Sequence, residues 1–267
     1  MGHLQKESQE ILRLAIESVG LNHHTKGLLE VARESIRIVA TDNLEKLSIG
    51  ESRIGGPPDL ESKLQWPLYS GEDTKNNDLS VFYFQVNLTD LPNILAPSIP
   101  EKGLLSIYST SQNQLEDEGS VLYFNDINTL HSQRLPNINE FGDKDLDNKY
   151  NIAACFHQPR KLEFELSVSL PGYLYHPEFI EEDELDAYLE LESLLTHKLK
   201  GEEIGFMFSH YLQGMPEEDD PKWFTLFNLS SGSQYFSFGD CGNCGISIKR
   251  DKEKVCDFEG AHFCYCE

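Results

Sequence analysis

Residues Ser52–Leu60 read SRIGGPPDL, the segment of the chain with the most demanding backbone requirements. Glycine reaches positive φ at little cost, whereas proline fixes φ and removes a backbone donor. Two glycines followed by two prolines therefore predict a rigid, irregular loop. Trp66–Pro67 follows after a short gap, and the apolar, strand-like segment Phe82–Leu88 comes next. This order of landmarks indicates a loop with a defined shape that leads into a β-sheet.

Length and composition favour one folded domain over residues 1–267. Of the 267 residues, 39% are hydrophobic and 10% are aromatic, which is enough apolar side chain for a sizeable core. The segments rich in Asn, Asp, Glu and Pro are short, and none has the length of an interdomain linker.

The chain is strongly acidic, with 22 Lys and Arg residues, 45 Asp and Glu residues and a net charge of −23. A surface of this sign repels nucleic-acid phosphates and anionic lipids, so we expect neither nucleic acid nor membrane as a partner. Two interpretations of the charge remain open. It keeps the protein in solution, or it steers the protein toward a basic protein partner or a cationic ligand.

The first 20 residues carry charges every few positions and contain no apolar core of signal-peptide length. The sequence also has no run of about 20 apolar residues that would span a bilayer. We therefore expect a cytoplasmic protein.

Two helices are predicted at the N-terminus. Apolar residues recur at helical spacing from Ser8 to Val19, and a second helical pattern begins at Thr25. The alternating, β-branched segment Ile36–Val39 favours a strand. Residues 1–34 are thus predicted to form an N-terminal helical extension.

Strand signals dominate the remainder of the chain. The predicted strands are Val81–Leu88, Leu104–Tyr108, Val121–Phe124, Leu162–Leu170, Phe224–Leu229, Gly245–Lys249 and Phe263–Cys266. The acidic segment Glu178–Lys200 is the exception, because its leucines and one tyrosine form an apolar stripe typical of a surface helix. The predicted fold class is α+β with a predominantly β core.

Two strand segments have similar sequences. Phe82–Thr89 (FYFQVNLT) resembles Trp223–Ser230 (WFTLFNLS), and each precedes a glycine and another apolar strand, in Gly103–Tyr108 and Gly242–Ile248. Chance agreement between two β-hairpins is one explanation, and internal duplication is the other. A duplication predicts two similar β units that share one core.

The order of these landmarks resembles that of the YwqG-like family of bacterial proteins, a domain of unknown function. The residues that carry the resemblance span positions 35–266 and include Ser52–Leu60, Trp66–Pro67, Pro100–Leu105, His210–Pro216, Gly239–Gly242 and Asp257–Phe258. The resemblance implies an α+β fold with a predominantly β core in a soluble, intracellular protein. It implies no catalytic residues, because the biochemical role of the family is not established.

Five of the six cysteines lie in the last 27 residues. Cys241 and Cys244 form a Cys-x2-Cys knuckle that lets two thiolates reach one tetrahedral ion, and Cys256 and Cys264 would complete the set. A structural zinc site formed by these four residues is one hypothesis. The alternative is that the cysteines are small buried hydrophobic side chains. No other cofactor is expected, and disulfides are disfavoured in a reducing cytosol.

A ligand pocket beside the Gly-Gly-Pro-Pro loop is a further hypothesis. Arg53 offers a planar fork for a carboxylate or phosphate, Trp66 offers an apolar wall, and Gln85 and Asp240 offer polar groups. Aromatic residues of this kind are more often part of the core. These four residues are nevertheless the ligand-binding candidates that the sequence provides.

His210 and Asp240 flank the second β unit and would form an acid–base pair in an enzyme. The sequence supplies no nucleophile elbow, phosphate-binding loop, dinucleotide fingerprint or zinc-peptidase helix to accompany them. The structural interpretation is stronger, with Asp240 closing a turn and His210 bonded to a backbone group beneath a loop. No residue is assigned a catalytic role.

The leading functional hypothesis is a non-enzymatic acidic module that binds a basic protein, as an immunity or inhibitor protein would. It rests on the net charge of −23 and on the missing catalytic motifs. The alternative is a small-molecule-binding protein or enzyme with its pocket near the Gly-Gly-Pro-Pro loop. A structural zinc at the C-terminal cysteines is compatible with either hypothesis.

Overall fold

The structure is a computed structural model of the chain. It describes residues 4–41, 47–69, 78–94, 99–109, 119–137, 157–172, 175–196, 202–210, 215–218, 220, 222–231, 235–236, 238, 242–250 and 257–266.

The described residues contain three α-helices, which are α1 (Lys6–Val19), α2 (Thr25–Val31) and α3 (Leu185–Thr196). The first two confirm the predicted N-terminal helices. Helix α3 lies within the acidic segment Glu178–Lys200 and confirms the predicted surface helix. Its stripe is narrower than predicted, because Tyr188 and Leu191 are fully buried whereas Leu189 is 42% exposed.

The described strands run from β1 to β14 in chain order. They are β1 (Arg33–Ala40), β2 (Arg53–Ile54), β3 (Asp59–Glu61), β4 (Leu68–Tyr69), β5 (Asp78–Leu79), β6 (Val81–Asn87), β7 (Leu104–Ser109), β8 (Gly119–Phe124), β9 (Leu130–Ser132), β10 (Arg160–Ser169), β11 (Glu202–Met207), β12 (Trp223–Ser230), β13 (Asn243–Lys249) and β14 (Asp257–Cys266). Each strand predicted from the sequence is present, so the predominantly β core of the α+β fold is confirmed.

Ten of these strands form one antiparallel sheet in the order β14-β13-β12-β11-β1-β10-β2-β6-β7-β8. The order is symmetric about the central pair β1 and β10, with four strands on either side. The two similar segments lie in β6 and β12, which occupy equivalent places in the two halves of the sheet. The strands that follow them, β7 and β13, are also in equivalent places. The arrangement confirms two similar β units that share one core.

The sheet curls until its two edge strands, β8 and β14, lie against each other. Gly119 at the start of β8 packs on the ring of Phe263. The Ser109 hydroxyl on β7 also forms a hydrogen bond with the Tyr265 hydroxyl on β14. The inner face of this nearly closed sheet surrounds the larger core, whose fully buried members include Ile38 and Phe84. Pairing or covering edge strands in this way protects them from association with other chains.

The three helices form a second, smaller core on the sheet with residues such as Leu12, Ile16 and Tyr188. The N-terminus of α1 is fixed by Glu34 on β1, whose carboxylate accepts hydrogen bonds from Gln5 N at 2.6 Å and Ser8 Oγ at 2.8 Å. A buried carboxylate at this position satisfies one backbone donor that a helix leaves unpaired and one side-chain hydroxyl of its first turn. The helical extension is thereby tied directly to the centre of the sheet.

The C-terminal end of α3 is anchored by outward-facing polar residues of the sheet. The Leu195 carbonyl accepts hydrogen bonds from Arg37 Nη2 on β1 and from Ser167 Oγ on β10, the latter at 3.1 Å. The last carbonyl groups of a helix lack partners within the helix, so these two donors satisfy one of them. Helix α3 therefore has a defined position above the sheet.

Candidate functional site

The Gly-Gly-Pro-Pro loop is closed by a buried ion pair. Arg53 Nη2 on β2 donates to Asp59 Oδ1 at 2.7 Å and to the Pro57 carbonyl at 2.6 Å. Gly55 and Gly56 between them have φ of 73° and 70°, values that favour glycine. Both charged side chains are removed from water, with 5% and 0% of their surface exposed. Arg53, one of the predicted ligand-binding residues, therefore holds the loop in place.

Gln85 on β6 completes this network. Its Nε2 donates to Asp59 Oδ2 at 2.8 Å and to the Glu51 carbonyl at 2.9 Å, and its Oε1 accepts from Asp59 N at 3.0 Å. Arg53 and Gln85 are directly opposite each other on the paired strands β2 and β6. The structure therefore brings these two predicted site residues together, with the carboxylate of Asp59 as their common partner.

Trp66 is also committed to the interior. Its indole N–H donates to the Ser80 carbonyl at 2.8 Å, and its ring packs edge-on against Tyr108 at 6.0 Å between centroids. Asp240, the fourth candidate, lies outside the described residues. The contacts of Arg53, Trp66 and Gln85 give them a structural role, and their ligand-binding role remains a prediction.

The cysteines do not converge in the way that the zinc hypothesis requires. Cys244 on β13 is opposite Tyr265 on β14, and Cys264 is opposite Gly245. Residues directly opposite share a face of the sheet, and successive residues alternate between faces. Cys244 and Cys264 therefore point to opposite faces, and one ion cannot bind both while this register is kept. Cys241 and Cys256 lie outside the described residues.

A pocket of about 230 Å³ lies between α3 and the outer face of the sheet. The pocket residues Phe206 and Asn228 alternate along β11 and β12 with the core residues Met207 and Phe227, which places them on the outer face. The pocket is lined by Val168, Ser169, Leu170, Gly172, Glu192, Leu195, Phe206, Ser209, His210, Asn228, Ser230 and Asn243. Apolar walls with several convergent polar groups are typical of a small-molecule site.

A sharp turn after β11 places Ser209 and His210 on the pocket wall. Phe208 has a φ of 58°, which is uncommon for a residue with a side chain and identifies a strained position. Asn228 Nδ2 donates to Ser209 Oγ at 2.6 Å and to the His210 carbonyl at 2.8 Å. His210 N in turn donates to Ser169 Oγ at 3.1 Å. Hydrogen bonds from two strands thus hold the turn in place.

The His210 side chain is neutral and forms a hydrogen bond with the backbone. Its Nε2 lies 3.0 Å from the Val31 carbonyl, and because a carbonyl only accepts, Nε2 must carry the proton. Burial, and to a lesser extent the nearby positive charge of Arg33, lower the pKa of His210 to about 3 against the opposing effect of the bond to Val31. The structural interpretation of His210 as a backbone-bonded residue agrees with this geometry.

Glu192 is the chemically distinctive group of the pocket. It lies on α3 and is partly buried, and within the described part of the chain its carboxylate has neither a hydrogen bond nor an ion pair. Burial disfavours the charged form and raises the pKa of Glu192 from its ordinary value of 4.5 to about 7. An acidic group in this condition at a pocket wall is a candidate for ligand binding.

The pocket was not predicted from the sequence, because Glu192 was not distinguished from the other acidic residues of the predicted surface helix. A signal was nevertheless available, since Glu192 is four residues after Tyr188 and three before Leu195. Residues at these spacings share one helix face, so Glu192 lies on the apolar stripe of α3.

Comparison with known families adds one finding. The family described as Domain of unknown function (DUF1963) matches residues 52–266, which is most of the chain. The chain belongs to DUF1963. No curated protein matches the chain. The predicted membership of a family of unknown function is thereby confirmed.

The DUF1963 match contains every residue that lines the pocket. It does not contain α1, α2 or β1, although β1 occupies the centre of the sheet and Val31 is the partner of His210. The segment before the match is therefore an integral part of this DUF1963 structure. In the part of the chain that is described, no helix combines the length and apolarity needed to cross a membrane.

The buried network of the loop predicts that the protein loses stability when Arg53 is replaced. Arg53→Ala leaves the Asp59 carboxylate buried without its cation, which should lower the free energy of unfolding by about 3–5 kcal/mol. The measurement is urea denaturation followed by tryptophan fluorescence. Lys63→Ala, at an exposed position of the neighbouring turn, is the control and should change stability by less than about 0.5 kcal/mol. Equal stabilities for the two variants would contradict a structural role for Arg53.

The raised pKa of Glu192 predicts that the free energy of unfolding depends on pH. The pKa of Glu192 is ordinarily 4.5 and is about 7 in the folded state. Between these two pH values, the folded state binds more protons at this position than the unfolded state. This group therefore reduces stability as the pH rises. Glu192→Gln should match the wild type at acidic pH and exceed its free energy of unfolding by about 2–3 kcal/mol above pH 7.

The control for this prediction is Glu190→Gln, which removes an exposed carboxylate from the same helix. His210 has a lowered pKa and makes the opposite contribution, but it is present in both variants and does not affect their difference. A stability difference between the two variants that does not vary with pH would show that Glu192 titrates normally.

Proposed function

We propose that this DUF1963 protein is a small-molecule-binding protein that holds a compact cationic ligand, an amine or guanidine, in the pocket beneath α3. The observation that carries the proposal is the carboxylate of Glu192, which lies on the pocket wall without a cationic or hydrogen-bonding partner among the described residues.

A partly buried carboxylate is unfavourable until a cation or a donor compensates for its lost hydration. A ligand ammonium or guanidinium provides both the charge and the hydrogen bonds, so binding would lower the pKa of Glu192 toward its ordinary range. The free energy recovered in this way is available for ligand binding. A neutral ligand of the same shape would not recover it.

The remaining walls support the same class of ligand. The buried Oδ1 of Asn228 has no hydrogen-bond partner in the described structure and is a further acceptor for an N–H group. Ser230 and Asn243 add polar groups, whereas Leu170 and Phe206 provide apolar surface for the body of a ligand. The net charge of −23 raises the concentration of cations near the protein.

The test compares small primary amines and guanidines with neutral analogues, an alcohol or amide of the same shape, by saturation-transfer NMR and isothermal titration. Cations should bind at least about tenfold more tightly than their neutral analogues, a difference of about 1.4 kcal/mol. Glu192→Gln should remove this preference, and Glu190→Gln should retain it. Equal binding of each cation and its neutral analogue to the wild-type protein would overturn the proposal.

A second candidate function is capture of a basic protein by the acidic surface, in the manner of an immunity or inhibitor protein. It is favoured by the net charge and by the run Glu181–Asp183, whose three side chains are exposed beside α3. Charges arranged in this way accelerate association with a positively charged partner.

This candidate predicts that association with a basic partner slows at least about tenfold as the ionic strength rises from low to physiological values. Replacing the three acidic residues of Glu181–Asp183 with their amides should slow association further at low salt. The measurement is surface plasmon resonance over a salt series. A rate that does not depend on salt would contradict electrostatic capture.

We further propose a cytoplasmic location. Cys244 and Cys264 are buried in the sheet, which is a usual place for the cysteines of a protein in a reducing compartment. One zinc ion cannot bind all four predicted cysteines, because Cys244 and Cys264 face opposite sides of the sheet.

A further inference from the structure

Three potential metal ligands converge where the N-terminal helices meet the start of α3. His23 Nε2 lies 2.6 Å from Glu184 Oε1, and His24 Nε2 lies 2.8 Å from Glu184 Oε2. One ligand atom from each of the three residues lies within 4.8 Å of the other two. The histidines belong to the 3-10 turn Asn22–His24 between α1 and α2, and Glu184 ends the 3-10 turn that precedes α3.

The three side chains are held in position by other contacts. Glu184 belongs to a capping box, in which its Oε2 accepts a hydrogen bond from Glu181 N at 3.1 Å. The His24 ring packs against Phe179 at 5.4 Å and against the His23 ring at 4.0 Å. An arrangement that is fixed before binding lowers the entropy cost of ordering these side chains around a ligand.

The ligand set has the chemistry of a zinc site. Two imidazole nitrogens and one carboxylate oxygen suit Zn²⁺, which binds such atoms at about 2.0–2.2 Å. Tetrahedral geometry at these bond lengths separates neighbouring ligand atoms by roughly 3.3 Å. The three ligand atoms, which lie within 4.8 Å of one another, would have to move to about this separation, a change within reach of side-chain rotation.

We propose that His23, His24 and Glu184 bind one Zn²⁺ ion that joins the N-terminal helices to the start of α3. The His23 side chain is 61% exposed, which leaves room for water at the fourth coordination position. The acidic residues of Glu181–Asp183 add negative charge beside the site and favour entry of a cation.

This site differs in chemistry and in position from the predicted cysteine site. Its ligands are nitrogen and oxygen atoms and include no thiolate. The two histidines precede the DUF1963 match, and Glu184 lies within it. The ion would therefore connect a segment outside the family match to the helix that carries Glu192.

The experiment titrates the full-length protein with Zn²⁺ by isothermal calorimetry at neutral pH, with the cysteines kept reduced by a reductant that does not chelate metals. His23→Gln and Glu184→Gln should each weaken zinc binding at this site at least about tenfold, the effect expected on loss of one ligand. His131→Gln, which changes an exposed histidine on β9, is the control and should bind zinc as the wild type does.

Two further measurements separate this site from the cysteines and from misfolding. Co²⁺ bound to the wild type should lack the intense near-ultraviolet charge-transfer band of thiolate ligation, and Glu184→Gln should remove the weaker visible bands. The glutamine at position 184 retains an oxygen acceptor for Glu181 N, so circular dichroism should show unchanged helix content.

The proposal is overturned if the wild type binds no zinc. It is also overturned if Glu184→Gln and His23→Gln bind zinc as tightly as His131→Gln does.

Discussion

The antiparallel pairing of β1 with β10 is the interaction that holds the two halves of the molecule together. The register is continuous over eight residues, from Arg33 opposite Ser169 to Ala40 opposite Leu162. Four strands extend from β1 on one side and four from β10 on the other, so each half lies against the other through this seam. The contact between β8 and β14 completes the curl and encloses a single core. A half sheet alone would leave its apolar inner face exposed to water.

The same central strands also position the helices. Glu34 on β1 caps α1, and Arg37 on β1 together with Ser167 on β10 binds the last turn of α3. Because α3 is anchored from the sheet, the space beneath it has a defined shape, and Glu192 lies at its wall. The strand that organises the core thus also organises the candidate binding pocket, although it precedes the family match.

Helix α3 connects the pocket with the proposed zinc site. Its C-terminal end is bound to the sheet, and its start is bound through Glu184 to the histidines of the N-terminal turn. A zinc ion at that turn would fix the start of the helix that carries Glu192, whose other end is already bound to the sheet by Arg37 and Ser167. Such an ion would not contact a ligand in the pocket, but it would restrict movement of the pocket wall. The acidic character of the chain favours the cation in both places.

Local sequence pattern was sufficient for the long elements and for the overall class. The apolar periodicities of α1, β6, β7, β10 and β12 extend over six or more residues, and the repeated pattern of Phe82–Thr89 and Trp223–Ser230 predicted the two β units. Short strands such as β2 and β3 carry too few residues for a period to be detected. β11 was missed because Glu202, Glu203 and Gly205 weaken its strand pattern.

The roles of individual polar residues required the folded structure, because burial and pairing are properties of neighbours distant in sequence. Arg53 and Gln85 were correctly placed near each other, but Asp59 was not recognised as the partner that makes them structural. The sequence predicted that Cys244 and Cys264 bind one ion, but the β13–β14 register places them on opposite faces of the sheet. Glu192 is one of three acidic residues in α3, with Asp186 and Glu190. Only the packing of α3 on the sheet removes that carboxylate from water and raises its pKa.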